Sequence, residues 1–202
     1  ILFIGHKGHP EVIGTFGQVP DGSMTLIETV EDVARFAPID PDNLAFLTQT
    51  TLSVDDTAAI VAALHRRFPT IAAPRGEDIC YATSNRQTAV KAIAGRCDAV
   101  YVIGAPNSSN SNRLREIGTE IGVPSYLIDD ADNLDPAWLK DVNIVGVTAG
   151  ASAPEELVQE LITRLCDFGK VKLTKLDGVE ENITFKLPRE LIDAERNNAS
   201  AI

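Results

Sequence analysis

The 202-residue sequence predicts an α/β protein built from two similar three-layer units with mostly parallel sheets. Three observations predict it. Short aliphatic runs alternate with longer runs at helical spacing, the rhythm of strand–helix–strand crossovers. Three of the aliphatic runs pass directly into polar segments that open a helix, as parallel strands do at their carboxyl ends. Pro74-Arg75-Gly76 interrupts the rhythm with a turn, dividing the chain into units spanning 1–76 and 77–202.

The elements follow in order. Ile1-Leu2-Phe3-Ile4-Gly5 reads as the inside of a buried parallel strand, so further chain is expected before it. Gly5-His6-Lys7-Gly8-His9-Pro10-Glu11 leads into a helix over 12–16, then a strand over 24–28, a helix over 30–36 and a strand over 44–47. Ser53-Val54-Asp55-Asp56 caps a helix whose Ile60, Val61, Leu64 and Phe68 share one stripe, and Pro69 stops it. A brief strand covers 70–73. The second unit carries a helix over 85–94, a strand over 99–103, a helix over 114–121 and a strand over 125–128. A short helix over 136–140, a strand over 144–147 and a long helix over 154–168 with proline in its first turn complete it. The tail forms a strand over 183–186, turns polar from Arg189, and frays at its end.

Charge narrows the function classes. A formal net charge of -11 excludes a nucleic-acid or anionic-membrane surface, both of which depend on clustered Lys and Arg. The 44% apolar content suits an aliphatic globular core. Cys80, Cys97 and Cys166 form no paired motif, which points to a reducing compartment, the cytoplasm, rather than to a disulfide framework or zinc ribbon. No apolar run approaches the roughly 18–20 residues of a membrane span. A small-molecule ligand is the expected partner.

The polar segments indicate its chemistry. Asn107-Ser108-Ser109-Asn110-Ser111-Asn112-Arg113 lies between the 99–103 strand and a helix, and is built to hold an anion with hydroxyls, amides and backbone N–H groups rather than fixed charge. Thr48-Gln49-Thr50-Thr51 and Thr148-Ala149-Gly150-Ala151-Ser152 occupy equivalent positions. Capping alone competes with this reading, most strongly at Ser152, but seven successive Ser, Asn and Arg residues exceed what a cap requires. His9 and Glu11 follow the first strand as an acid/base and anion-contact pair, against the plainer alternative of helix-start electrostatics. His6 is an ordinary loop residue and His65 lies on a solvated face. Cys80 precedes a helix, a position suited to a reactive or metal-binding thiolate, whereas Cys97 and Cys166 read as small core hydrophobes.

Taken together and in this order, GHKGHPEVIGT, FLTQTTLSVDDT, DICYATSNRQ, NSSNSNRL and GVTAGASAPE resemble the 4-hydroxy-3-methylbut-2-enyl diphosphate reductases, the LytB/IspH family. Glu180-Glu181-Asn182-Ile183 extends the resemblance into the tail. The resemblance implies the later two of three similar α/β domains around a central cluster, with the N-terminal domain missing. It implies reductive removal of a hydroxyl from an allylic diphosphate, giving isopentenyl and dimethylallyl diphosphates in non-mevalonate isoprenoid biosynthesis. Electrons would come from a donor such as flavodoxin or ferredoxin.

By matching position, His9, Ser108, Asn110 and Ser152 would contact the diphosphate, with Ser109 nearby. Glu11 would deliver protons, and Thr50 would join it to the substrate hydroxyl. Cys80 would be one thiolate of a [4Fe–4S] cluster whose other ligands are absent from this chain. Two other readings compete: a non-catalytic binding module for phosphorylated metabolites, which needs neither Glu11 nor Cys80, and a thiol hydrolase pairing Cys80 with His9.

Overall fold

The computed structural model describes residues 1–176, 178–179 and 181–192. Two three-stranded parallel sheets organise it, and each has the same plan. In the first, β1 (Leu2–Ile4) is central between β2 (Thr25–Ile27) and β3 (Phe46–Thr48), giving the order β2-β1-β3. In the second, β4 (Ala99–Ile103) is central between β5 (Ser125–Ile128) and β6 (Val145–Ala149).

Strand alternation sends successive side chains to opposite faces, and helices cover both. Leu2 and Ile4 pack with Val33 of α2 (Val30–Arg35) and with Ile60 and Leu64 of α3 (Val54–Arg67). Phe3 points the other way, against Val12 and Phe16 of α1 (Pro10–Phe16). In the second unit Val100 and Val102 meet α4 (Tyr81–Ala94) and α5 (Ser109–Glu120), whereas Tyr101 and Ile103 meet Leu161 of α6 (Glu155–Cys166). Two 3₁₀ turns, Ala131–Asn133 and Pro136–Leu139, close the edge beside Tyr126 and Trp138. Among the described residues no helix is long and apolar enough to cross a membrane.

The helix starts are set by capping. Thr29 and Asp32 form a reciprocal capping box at α2, and Ser53 caps α3 by accepting from the Asp56 N–H at 3.1 Å. His9 caps α1, whose first residue is Pro10, so that helix begins two residues before the sequence expectation.

Several expectations are corrected. The 70–73 strand reduces to a single parallel bridge between Ala45 and Ala72. Helix α4 starts at Tyr81 rather than 85, and α6 starts at Glu155 with Pro154 as its cap residue rather than in its first turn. Residues 183–186 form no strand: Ile183, Phe185 and Leu187 are exposed, and no neighbouring strand among the described residues pairs with them. Cys166, expected in the core, is exposed at the last position of α6. Glu180 and the end from 193 onward, where fraying was expected, lie outside the described residues.

Tyr101 anchors the aromatic edge. It is fully buried, its hydroxyl donates to the Trp138 carbonyl at 3.1 Å, and burial, reinforced by Tyr126, pushes its phenol up to about 12. The neutral phenol is therefore favoured by the fold, so its contribution is fully present below about pH 10 and is lost as pH rises towards about 12. Chemical unfolding followed across that interval should show a steeper loss of stability for the wild type than for Tyr101→Phe. Equal slopes would contradict the assignment.

Candidate functional site

In a parallel sheet, ligands sit where strand order reverses, because the loops after adjacent strands diverge there to opposite faces. Both sheets place that switch between the central strand and its later neighbour, β1 with β3 and β4 with β6. The loops and helix starts that follow those four strands carry His9 and Glu11, Thr50, Ser108 to Asn110, and Ser152.

The first sheet joins two of them directly. Glu11 accepts from the Thr50 N–H at 2.9 Å through one carboxylate oxygen and from the Thr50 hydroxyl at 3.0 Å through the other. One residue thus fixes both oxygens of the acid. His9 accepts from the Glu11 N–H at 3.2 Å through Nδ1, which in the neutral ring leaves the proton on Nε2 as a free donor. Buried Gln49 ties the neighbouring loops together, accepting from the His6 N–H and donating to Thr51 at 3.0 Å each.

The two units meet at this rim. The Thr51 hydroxyl donates to Ser109 at 3.1 Å, and the Cys80 N–H donates to the Thr50 carbonyl at 3.0 Å. Arg113, one turn into α5, donates to Ser53 at 2.9 Å and to Glu120 at 2.8 Å.

The Ser/Asn segment is the largest correction. Ser108 is the cap residue of α5, so Ser109, Asn110, Ser111, Asn112 and Arg113 are helical rather than a loop preceding a helix at 114. Ser111 explains how a poor helix former is held there. A Cβ added at Gly104, after β4, or at Gly150, after β6, would collide with the Ser111 hydroxyl, so the helix start is drawn tightly against two strand ends. Gly150 also lies beside Asn110: a Cβ there would sit 3.7 Å from the Asn110 amide nitrogen. Asn110 is 5% exposed, yet neither its carbonyl oxygen nor its amide nitrogen has a partner. An unpaired buried amide is costly, so this carboxamide fits a polar ligand atom seated against the helix start. The N–H groups of Ser109 and Asn110, in the first turn, have no intrahelical acceptor and face the same need. Ser152 is exposed and does not cap α6, which removes the capping explanation favoured from sequence.

The residues present do not complete an iron–sulfur site. Cys80 is half-buried at the start of α4, Cys97 packs against Gly146 behind the sheet, and Cys166 ends α6. Among the described residues no group of three or more His, Cys, Asp or Glu side chains is placed to hold a metal ion, whereas a four-iron cluster takes several thiolates. A surface depression of about 330 Å³ is lined by Arg115, Glu116, Thr119, Glu120 and Ser125 at the far end of α5, where two carboxylates oppose an anion.

Sequence reasoning gave no positioning role to Asp78 or Gln87, nor to Gln49 and Arg113, which it placed in the polar segments only as parts of them. Each reaches across from another element, and only Gln87 leaves a sequence signal: an amide on the buried stripe of Thr83, Val90 and Ala94.

The glycine gaps generate a test. Gly104→Ala and Gly150→Ala should each destabilise the chain by about 1–3 kcal/mol, read from denaturant midpoints. Adding Ser111→Ala should rescue Gly150→Ala, where the serine Cβ would remain 3.3 Å away, but not Gly104→Ala, where it would lie at 2.5 Å. Rescue of both, or of neither, contradicts this packing.

Comparison with known proteins identifies the family. A family model described as LytB protein matches residues 1–166. The chain is 61% identical over 191 residues to the 4-hydroxy-3-methylbut-2-enyl diphosphate reductase of Phenylobacterium zucineum (strain HLK1), covering 95% of this chain and 61% of that protein. It is 59% identical over 191 residues to the same-named protein of Aromatoleum aromaticum, with equal coverage. The solved structure of the E-1-hydroxy-2-methyl-but-2-enyl-4-diphosphate reductase from Plasmodium falciparum superposes with a TM-score of 0.88 at 36% identity, covering 98% of this chain and 63% of that one. The chain therefore spans about three-fifths of the length of the curated relatives it matches.

Proposed function

The chain belongs to the LytB protein family, and from that membership we propose that it forms the diphosphate-binding and proton-delivering portion of a 4-hydroxy-3-methylbut-2-enyl diphosphate reductase. The observation that carries the reading is the joining of Glu11 to Thr50 and of Thr51 to Ser109 by hydrogen bonds along one rim, with the unpaired Asn110 amide next to Ser109 in α5. We divide the chain at 76/77, one sheet on each side.

Diphosphate is held by donors rather than by cations. The His9 Nε2–H, the Ser108 and Ser152 hydroxyls, the Asn110 amide and the positive end of α5 supply them, with Ser109 alongside. In a protein of net charge -11, local dipoles of this kind make the rim attractive where the distant field is not.

Seating the diphosphate there leaves the allylic hydroxyl at the Glu11 end. Thr50, hydrogen-bonded to Glu11, accepts or donates at that hydroxyl, and Glu11 supplies the proton with which it departs as water. Breaking the carbon–oxygen bond in this way takes two electrons, supplied by a flavodoxin- or ferredoxin-type donor in the cytoplasm, and a second proton restores the carbon skeleton. Cys80 is the one thiolate this chain would contribute to an iron–sulfur cluster, the remaining ligands coming from the part of the relatives' length it does not span.

The test uses the whole protein that carries this segment, purified anaerobically. It should be brown and reduce the allylic diphosphate, and Cys80→Ser should bleach it. A colourless wild type that still binds diphosphates would replace this reading with a binding module.

A second variant separates binding from chemistry. Glu11→Gln should leave KM nearly unchanged while kcat falls by about 10²–10⁴-fold. Unaltered turnover would take Glu11 out of the reaction.

A further inference from the structure

We propose that Gln87 is a positioning residue for the proton-delivering end of the site, locking the turn after Thr50 to α4 and so fixing Thr50 and Glu11 relative to Cys80. The inference rests on the reductase reading for its kinetic consequence, although its structural part stands apart from it.

Gln87 is 1% exposed, on the α4 stripe shared with Thr83, Val90 and Ala94. An amide buried on an otherwise small or apolar stripe costs free energy unless both its ends are paired. Both are, and both partners belong to one turn. Its Nε2 donates to the Leu52 carbonyl at 2.7 Å, and its Oε1 accepts from the Val54 N–H at 3.1 Å. Val54 is the first residue of α3, so its N–H has no acceptor inside its own helix. Gln87 therefore caps α3 from another element, while Ser53 caps it locally at Asp56.

The same segment grips the loop at two further points. Asp78 accepts from the Thr48 N–H at 2.9 Å, and the Cys80 N–H donates to the Thr50 carbonyl at 3.0 Å. Residues 78 to 87 thus lie along residues 48 to 54 like a splint. From Cys80 to Gln87 is about 10 Å of helix, so the two grips are far enough apart to resist rotation of the turn as well as translation. Thr50, held by Cys80 through its carbonyl, in turn holds both oxygens of Glu11. Releasing the Gln87 grip frees the turn to pivot about Cys80 and loosens the clamp on the acid.

His9 and Ser109 are tied to the gripped residues through Glu11 and Thr51, but the remaining diphosphate contacts have supports of their own. Ser108 and Asn110 are set by Ser111 wedged against Gly104 and Gly150, and Ser152 follows β6. Loss of the Gln87 bonds should therefore impair turnover more than binding.

Gln87→Met keeps length and flexibility but cannot form either hydrogen bond. In the whole protein, kcat should fall by about tenfold or more with KM held within about twofold. Placed on Thr50→Val, which already lacks the hydroxyl clamp, Gln87→Met should cost much less than it does alone, the non-additivity expected of residues acting through one another. Independently of turnover, amide exchange followed by NMR should accelerate at Thr50 and Val54 while Asn112 and Leu114 in α5 keep their protection.

Unchanged exchange at Thr50 and Val54, or loss of protection throughout the chain, would overturn the positioning role whatever the kinetics show. A raised KM with intact kcat, or additive effects with Thr50→Val, would overturn it as well. Absence of turnover in the wild type would count against the reductase reading alone, leaving the exchange measurement to decide the role of Gln87.

Discussion

The short turn from Gln49 to Val54 is the constraint on which the rest of the rim depends. It leaves a three-residue strand and must enter α3 almost at once, so its backbone groups are lifted out of both the sheet and the helix ladder. Buried polar groups require partners, and neighbouring elements provide them. Asp78 takes the Thr48 N–H, Cys80 gives to Thr50, Gln87 bridges Leu52 and Val54, and Arg113 reaches Ser53. Satisfying a turn has the consequence of aligning four elements from two sheets. Glu11 and Ser109 then take their places through side-chain bonds to Thr50 and Thr51.

Electrostatics explains why the rim uses neutral donors. The chain is strongly acidic, and Arg113, the cation nearest the α5 start, is engaged by Asp56, Glu116 and Glu120. Anion attraction at the rim must therefore come from oriented dipoles: first-turn N–H groups, hydroxyls, a carboxamide and an imidazole. Such groups act over a few ångströms and require exact placement to be effective, which is the reason for tight glycine gaps at Gly104 and Gly150. The unpaired carboxamide of Asn110 is the visible cost of this arrangement.

Much of this was legible in the sequence because it is local. The boundaries of 99–103 and 125–128 match β4 and β5, the cap at Ser53 is as expected, and of the stripe Ile60, Leu64 and Phe68 are buried with Val61 partly buried against them. The rim was legible as a repeated grammar of strand, polar segment and helix. What escaped was non-local. Serine and asparagine disfavour helix interiors, so the α5 start looked like a loop until Ser111 was seen wedged between two glycines. A strand was expected over 183–186, but a strand exists only with a partner, and no described residue offers one. Gln87 signals its burial on the α4 stripe but not its partners, and nothing local ties Arg113 to Ser53, since these bonds span 33 and 60 residues.

One small anion touching segments from both sheets at once should be visible when inorganic pyrophosphate is titrated into the isotopically labelled protein. Saturable amide shifts with a common dissociation constant are expected at His9, Ser108, Asn110 and Ser152. Shifts confined to one of these segments, or spread over the surface lysines and arginines instead, would contradict it.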